Sequence, residues 1–352
     1  MSTFARELVT APKVRAELNG MPINTILRVD ITNTGSTTSS RFELMMSTVG
    51  EAALGQWIGR LRGIVSVKIY IRSQSGDMLM FQGLADSIST DPINQIIRIV
   101  GRDYSSVMIG SAYQASFCNQ TASEIANYIA MRHGLDQNIS TTSTMVGNYQ
   151  FGSYNQVVLN AHSKITSEWG LLTQLANREG FELFVDGRTL VFAAWNSLQT
   201  DNASIGPGDV TGIAFYRNCP ISDHTTVTVK SWIPWLNTAL SHTNDMVSEL
   251  SDVADMPTFA TAEIAIVTPN LTSQAAERLG AHYVTNLNGG ALTVQIRMPG
   301  ELFLKPRDTI SVAGFGVNVD SDFRVGEIRR SYSTTSGFIQ RIQASLVTPA
   351  YA

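Results

Sequence analysis

Four acidic residues crowd one stretch of the chain: Glu168, Glu179, Glu182 and Asp186. Two carboxylates facing a sugar cleft are what a glycosidase requires, one as acid and one as base or nucleophile. Here Glu168 falls in the first turn of a predicted helix, where negative charge favours the helix dipole. Asp186 falls in a hairpin turn. The group reads as structural, because proximity in sequence without site geometry is no catalytic argument. The histidines, His133, His162, His224, His242 and His282, include no i,i+4 pair. Neither His-Glu-x-x-His nor Cys-x-x-Cys occurs, so no zinc site is expected. His133 falls near a helix C-terminus, where a cation is favourable. Asp320-Ser321-Asp322 lacks the rest of a calcium loop and reads as a turn. Gly206-Pro207-Gly208 and Gly314-Phe315-Gly316 open no amphipathic helix, so neither is a phosphate loop. No Gly-x-Ser-x-Gly nucleophile elbow appears. The sequence therefore predicts no catalytic residue, no cofactor and no metal.

The elements around these residues fall into three blocks. In residues 1–104, Val14, Ala16 and Leu18 alternate ahead of Asn19-Gly20, the strongest short hairpin signal, since both turn residues need positive φ. Strands follow at 27–31 and 41–46. Leu54, Trp57, Ile58 and Leu61 recur at helical spacing. Val65, Val67, Ile69 and Ile71 then alternate, and 78–89 and 95–102 complete a meander that reads as a small barrel or sandwich. Residues 105–200 change character. Thr121 to Glu124 is a capping box, Ile125 and Ile129 share a helix face, and Gly134 ends that helix. A second helix over 166–178 carries Trp169, Leu172, Leu175 and Ala176 on one stripe, with Gly180 as its stop. A hairpin follows, with Asp186-Gly187 as its predicted turn. Residues 201–352 return to β, with Val227 and Val229 in one strand, Leu292, Val294, Ile296 and Met298 in another, and closing strands at 309–313, 323–332 and 338–347. One helix is expected over 272–287. The segment 233–257 reads as irregular, and segments that long are usually functional or disordered.

The 352 residues allow two or three domains. Charged residues make up 15%, against about 25% in typical soluble domains. A surface poor in Lys and Glu suits a protein that buries much of itself against partners. Net charge is −4 without a basic block, so no duplex-binding footprint is expected. The two cysteines, Cys118 and Cys219, are too few for a disulfide framework and read as reduced and buried. The N-terminus has no apolar segment of a signal peptide and no run of about 18 apolar residues exists, so neither secretion nor membrane insertion is expected.

The middle block carries a resemblance. Thr121-Ala122-Ser123-Glu124-Ile125-Ala126, then Ser167 to Ala176, then Glu179-Gly180-Phe181 and the hairpin to Phe192 resemble, in order, the phage late control gene D protein family. Its members are baseplate hub proteins similar to the N-terminal part of type VI secretion spike proteins. Lys305-Pro306-Arg307-Asp308-Thr309-Ile310 is similar to a further strand entry of that family, with Arg307 where Gly is usual, so a different turn is expected there. The resemblance implies an α+β, mainly β fold: two tail-tube-like β-barrel domains, each with one helix, at 1–104 and 201–352, flanking an α+β insert at 105–200. It implies a homotrimeric ring that adapts a six-fold tail tube to a three-fold spike, with the tube protein, the spike protein and other baseplate proteins as partners. DNA would touch its channel only transiently. Such a chain is assembled in the host cytoplasm and resides in the virion's tail baseplate. With no spike or lysozyme extension in the 352 residues, those parts are expected on separate chains. A tail-associated cell-wall hydrolase and a secretion-system spike protein are the alternatives. Within 201–352, Trp232, Trp235 and Leu236 are the candidate subunit-interface residues, because aromatic residues dominate interface hot spots; packing on their own barrel is the competing reading.

Overall fold

The computed structural model describes residues 13–49, 61, 63–73, 76–112, 115–151, 155–159, 167–194, 198, 201–218, 224–233, 236–247, 262–290, 292–316 and 319–347. The helix expected around Leu54, Trp57 and Ile58 lies outside them, as do Cys219 and Trp235.

Strand β1 (Lys13–Leu18) turns through Asn19 and Gly20, with φ of 49° and 79°, into β2 (Met21–Ile23). Two positive φ values make the type I′ turn whose twist matches the strands. β1 pairs with β5 (Ser66–Ser73), β5 with β6 (Gly76–Asp91), β6 with β7 (Ile96–Arg102), β7 with β4 (Arg41–Ser47), and β4 with β3 (Ile26–Thr34). The period of two puts Val14, Ala16, Leu18, Phe42, Leu44, Val67, Ile69, Ile97 and Ile99 on the buried face.

The meander does not end at β3. β3 pairs antiparallel with β21 (Ser321–Ser333), in a register running from Thr34↔Glu327 to Arg28↔Ser333. β21 also pairs with β22 (Gly337–Leu346), which pairs with β19 (Leu292–Pro299), which pairs with β15 (Gly212–Arg217). β20 (Thr309–Val312) attaches to the other end of β21 and carries β14 (Asn202–Ile205). The two β blocks thus share one 13-stranded sheet. The chain is mainly β, as expected, but the described strands close no barrel, and β21 joins the two halves. A bulge between Val325 and Glu327 divides β21 into the part facing β20 and the part facing β3.

Each half keeps a core, and the second half contributes to the first. Leu302 and Phe338 pack into the cluster built by residues 14–99. Gly300 makes room for this: a Cβ there would sit 1.9 Å from Cδ1 of the Phe338 ring. The second core holds Val294, Ile296, Ile310, Phe323, Ile328 and Ile342.

The block between the halves has α1 (Ser105–Gly110), α2 (Ala122–Arg132) and α3 (Glu168–Glu179), with β12 (Phe181–Asp186) and β13 (Thr189–Ala194) as a hairpin. β9 (Asp136–Ile139) adds in parallel to β13. The capping box forms as predicted: Thr121 Oγ1 accepts from the Glu124 amide and Glu124 accepts from the Thr121 amide. The hairpin turn lies one residue later than expected, at Gly187-Arg188, because Asp186 already pairs with Thr189. Gly187 has φ 58°, and glycine at the first turn position is the type II′ requirement.

A separate three-stranded sheet is ordered β17–β16–β18, with β16 (His224–Ile233), β17 (Thr238–Val247) and β18 (Ala262–Val267). α4 (Ser273–Gly289) covers one face through Ala275, Ala276 and Leu279 against Val229. This corrects the expectation of an irregular 233–257. Thr238–Val247 is a strand paired along its length with β16, turning at Asn237 with φ 51°. Its sequence lacks apolar alternation because the positions on the α4 side are themselves mostly polar, Thr238, His242 and Asn244 beside Leu240, so its register comes from β16. Residues 248–257 lie outside the described residues. Among the described residues no helix is long and apolar enough to cross a membrane.

Gly300→Ala is expected to destabilise the protein by about 2 kcal/mol, since overpacking at an immobile ring costs that much. Denaturant unfolding would read it, and the Gly300→Ala/Phe338→Leu double variant should recover part of the loss.

Candidate assembly surface

The four carboxylates do not converge on a cleft. Glu168 is buried at the start of α3, where Arg132 Nη1 stands 2.7 Å from Oε1 and His133 Nε2 2.5 Å from Oε2. Glu179 is fully buried at the helix end; Thr144 Oγ1 donates to it at 2.5 Å and Arg278 Nη2 at 3.1 Å. Glu182 pairs with Arg324 at 3.0 Å. Asp186 is exposed at the hairpin. Three of the four are thus held by cations, and two of those cations come from beyond the block: Arg278 from α4 and Arg324 from β21. These arginines had no motif to mark them. The carboxylates therefore fasten the middle block to the second β half.

Arg307 does a similar job. It has φ 79°, the left-handed backbone that a glycine would favour there. A non-glycine residue in that region costs about 1 kcal/mol or more. Its guanidinium lies 3.3 Å from the Phe184 ring centroid and donates to the Gly35 carbonyl. Burial lowers its pKa to about 10, with Glu182 and Asp186 opposing that shift. The side chain thereby ties the turn at 305–308 to β12 and to the loop after β3. Trp169 Nε1 adds a bond to the Thr37 carbonyl at 2.9 Å.

The outward surface is different. In β16 the odd positions Val227, Val229, Ser231 and Ile233 face α4, so the even ones face out. Trp232 is 47% exposed on that open face, and Leu236 is 63% exposed at the tip of the β16–β17 hairpin. Val267 of β18, at 75%, lies level with Lys230 on the same face. Parallel partners share a face, so Trp232 and Val267 are exposed on one face of the sheet, with Lys230, Thr228 and Thr243 also on it. Neither outer edge of this sheet has a strand partner among the described residues, and a bare strand edge is a template for another chain. Cys118 corrects the other surface expectation: it is exposed, not buried, because Phe117 takes the inward position of β8 (Phe117–Cys118) and the thiol points out toward Gln156 Oε1 at 2.7 Å. No cluster that could hold a metal ion occurs among the described residues.

This architecture has close counterparts in solved structures. The 43 kDa tail protein of prophage MuSo2 from Shewanella oneidensis superposes with a TM-score of 0.67 at 15% identity, over 95% of this chain and 98% of that one. The tail protein from Neisseria meningitidis MC58 superposes at 0.63 and 14% identity, over 97% and 100%. The chain has a tail-protein fold. The E. coli c3393 protein, a type VI secretion component described as similar to bacteriophage T4 tail proteins gp27 and gp5, superposes at 0.59 and 10% identity, over 96% of this chain and 78% of that one. No protein-family model matches the sequence, and neither does any curated protein. The tail-protein fold is thus shared at little sequence identity.

Two measurements test the internal fastening. Arg278→Met leaves the Glu179 charge buried and unpaired, and such losses cost about 3 kcal/mol or more; the Glu179→Gln/Arg278→Met double variant should unfold at a denaturant midpoint closer to wild type than the single one. His282 of α4 packs where Gly180 ends α3, 3.1 Å from where a Cβ on that glycine would lie. Burial lowers its pKa below the usual 6.5, with Glu182 opposing and Arg324 adding to the shift. The neutral Nε2 accepts from Asn286 Nδ2 at 2.9 Å. The unfolded chain takes up this proton first on acidification, so stability present above about pH 6.5 is lost as pH falls toward the lowered value. Thermal melts from pH 7.5 to pH 5 should fall more steeply for wild type than for His282→Gln.

Proposed function

We propose that the chain is a baseplate hub of a phage-type tail, a structural protein and not an enzyme. Three copies would form a ring in which the two β halves of each chain act as tube-like units. Six such units would then meet the six-fold tail tube on one side, and the three-fold chain symmetry would meet the spike on the other, with a channel for DNA between. The single observation that carries the reading is the tail-protein fold, matched over almost the whole chain by two tail proteins that are themselves covered almost completely. The low charged fraction, 15%, and the open sheet with Trp232 and Leu236 support burial against partners. Cyclic closure is the usual outcome of a heterologous contact that closes, and pairing of bare sheet edges between subunits would remove an aggregation liability. On this reading Trp232, Trp235 and Leu236 belong to a subunit interface, and the protein resides in the tail baseplate after assembly in the host cytoplasm. A secretion-system role is the second reading, favoured by the fold shared with the type VI component. The cell-wall hydrolase reading has no support from the carboxylates, three of which are engaged by Arg or His.

Electron microscopy of the purified chain, alone and mixed with the spike protein encoded beside it, should show a three-fold ring of pseudo-six-fold outline with an open centre. A monomer in both samples would sink the hub reading. Trp232→Ser/Leu236→Ser should abolish the ring while circular dichroism and the melting temperature of the chain stay near wild type.

A further inference from the structure

Strand pairing builds a row of arginines that no stretch of the sequence announces. Arg297 of β19 stands opposite Arg341 of β22, Arg341 opposite Arg329 of β21, Arg329 opposite Thr32 of β3, Thr32 opposite Arg41 of β4, and Arg41 opposite Arg102 of β7. Cross-strand partners share a face, and here it is the face away from the core: Ile296, Ile328 and Ile342, the inward neighbours of Arg297, Arg329 and Arg341, are all buried. At about 4.8 Å per strand the row spans about 24 Å across both β halves. Like charges directly opposite one another on a sheet are destabilising. A row that places Arg297 and Arg341 side by side therefore carries a small cost in the folded chain, which a bound anion would relieve.

Carboxylates offset only part of the charge. Asp86 engages Arg102 at 2.6 Å, and Glu327 engages Arg329. In the adjoining rows Asp30 and Glu43 are taken by Arg28 and Arg98, at 2.5 and 2.7 Å. Arg41, Arg297 and Arg341 have no carboxylate partner among the described residues, so the face is positive on a chain whose net charge is −4. Arg297, Arg329 and Arg341 line a shallow groove of about 430 Å³ together with Gln295, Gln343 and Glu327, the last of these engaged by Arg329. Beside it Tyr216 of β15 is half exposed on the same face. A protein partner's interface core would call for aromatic and aliphatic anchors around its arginines. The row offers instead guanidinium and amide donors in a line, the chemistry that meets phosphate oxygens without reading bases.

We propose that this face binds the phosphodiester backbone of nucleic acid, with Arg41, Arg297 and Arg341 as its free cations. About 24 Å is the axial length over which one strand of a duplex carries about seven phosphates. The inference rests on the hub reading only for its setting, in which this face would turn toward the channel. Binding itself needs no ring.

The test is fluorescence anisotropy of a labelled 30-base-pair duplex titrated with the full chain between 50 and 200 mM salt, for wild type, Arg297→Gln/Arg341→Gln, and a control of equal charge loss off this face, Lys230→Gln/Lys305→Gln. The row variant should bind about tenfold more weakly at low salt, with the slope of log affinity against log salt shallower by about 2, the share of two phosphate contacts. The control should keep the wild-type slope. No measurable wild-type binding at 50 mM salt, or equal losses in both variants, overturns the proposal. Loss of a tail-protein partner on the row variant, with no duplex affinity in wild type, overturns it in favour of an acidic protein surface. Particle images of the same samples separate the two ideas: duplex binding without rings sinks the hub reading alone, and rings without duplex binding sink this inference alone.

Discussion

The pairing of β3 with β21 is the constraint on which the rest depends. It turns two β blocks into one sheet and brings a buried charge with it. Arg330, opposite Ile31 in that pairing, is 4% exposed. Its Nε donates to the Glu301 carbonyl at 3.1 Å, its Nη1 to Asn33 Oδ1 at 3.3 Å, and its Nη2 to the Leu304 carbonyl. Burial lowers its pKa to about 10, with Glu301 and Asp308 resisting the shift. It remains a cation at neutral pH, so removing any of its acceptors would leave a desolvated donor. The guanidinium thus requires the turn at 301–304 and strand β3 to stay where they are. The same turn delivers Leu302 to the first core, so polar and apolar parts of the joint fix one another.

The middle block is fastened to both sides of that joint. Toward the first half, Trp169 and the Thr37 amide bond reach across, the latter to the Leu183 carbonyl at 2.7 Å. Toward the second half, Glu179 and Glu182 meet Arg278 and Arg324. Arg307, set in a left-handed backbone conformation, touches Gly35 and Phe184 together. A buried ion pair is weak evidence of net stability, but it is specific about geometry, because neither partner tolerates the other's absence. Removing either arginine would leave its partner's charge buried, so the pairs hold the block against α4 and β21.

Much of this was legible in the residues. The type I′ turn at Asn19-Gly20, the capping box at Thr121, the stops at Gly134 and Gly180 and the helix of 273–289 are local chemistry, read from neighbours in sequence. What alternation cannot say is which strand pairs with which, since it reports a face and no partner. The join of β3 to β21, the sharing of cores and the arginine row are all of that kind. Arg330 left a trace: past the bulge it occupies the inward phase set by Ile328, where a charged residue signals a buried partner set. β17 left none, because both its faces are polar enough to look like loop. Trp232 was visible as an aromatic residue, and only the phase of β16 determined that it faces outward.

The joint also orders events in time. Asp30 and Ser331 bond across 301 residues of chain, and Phe338 completes a core begun at Val14. A ribosome making this protein releases β3 long before its partner strand exists. Until β21 and β22 emerge, the edge of the first meander at β3 is unpaired and its core lacks Phe338, and contacts so distant in sequence form slowly. The first meander is therefore the aggregation-exposed part of the nascent chain until β21 and β22 cover its edge and core.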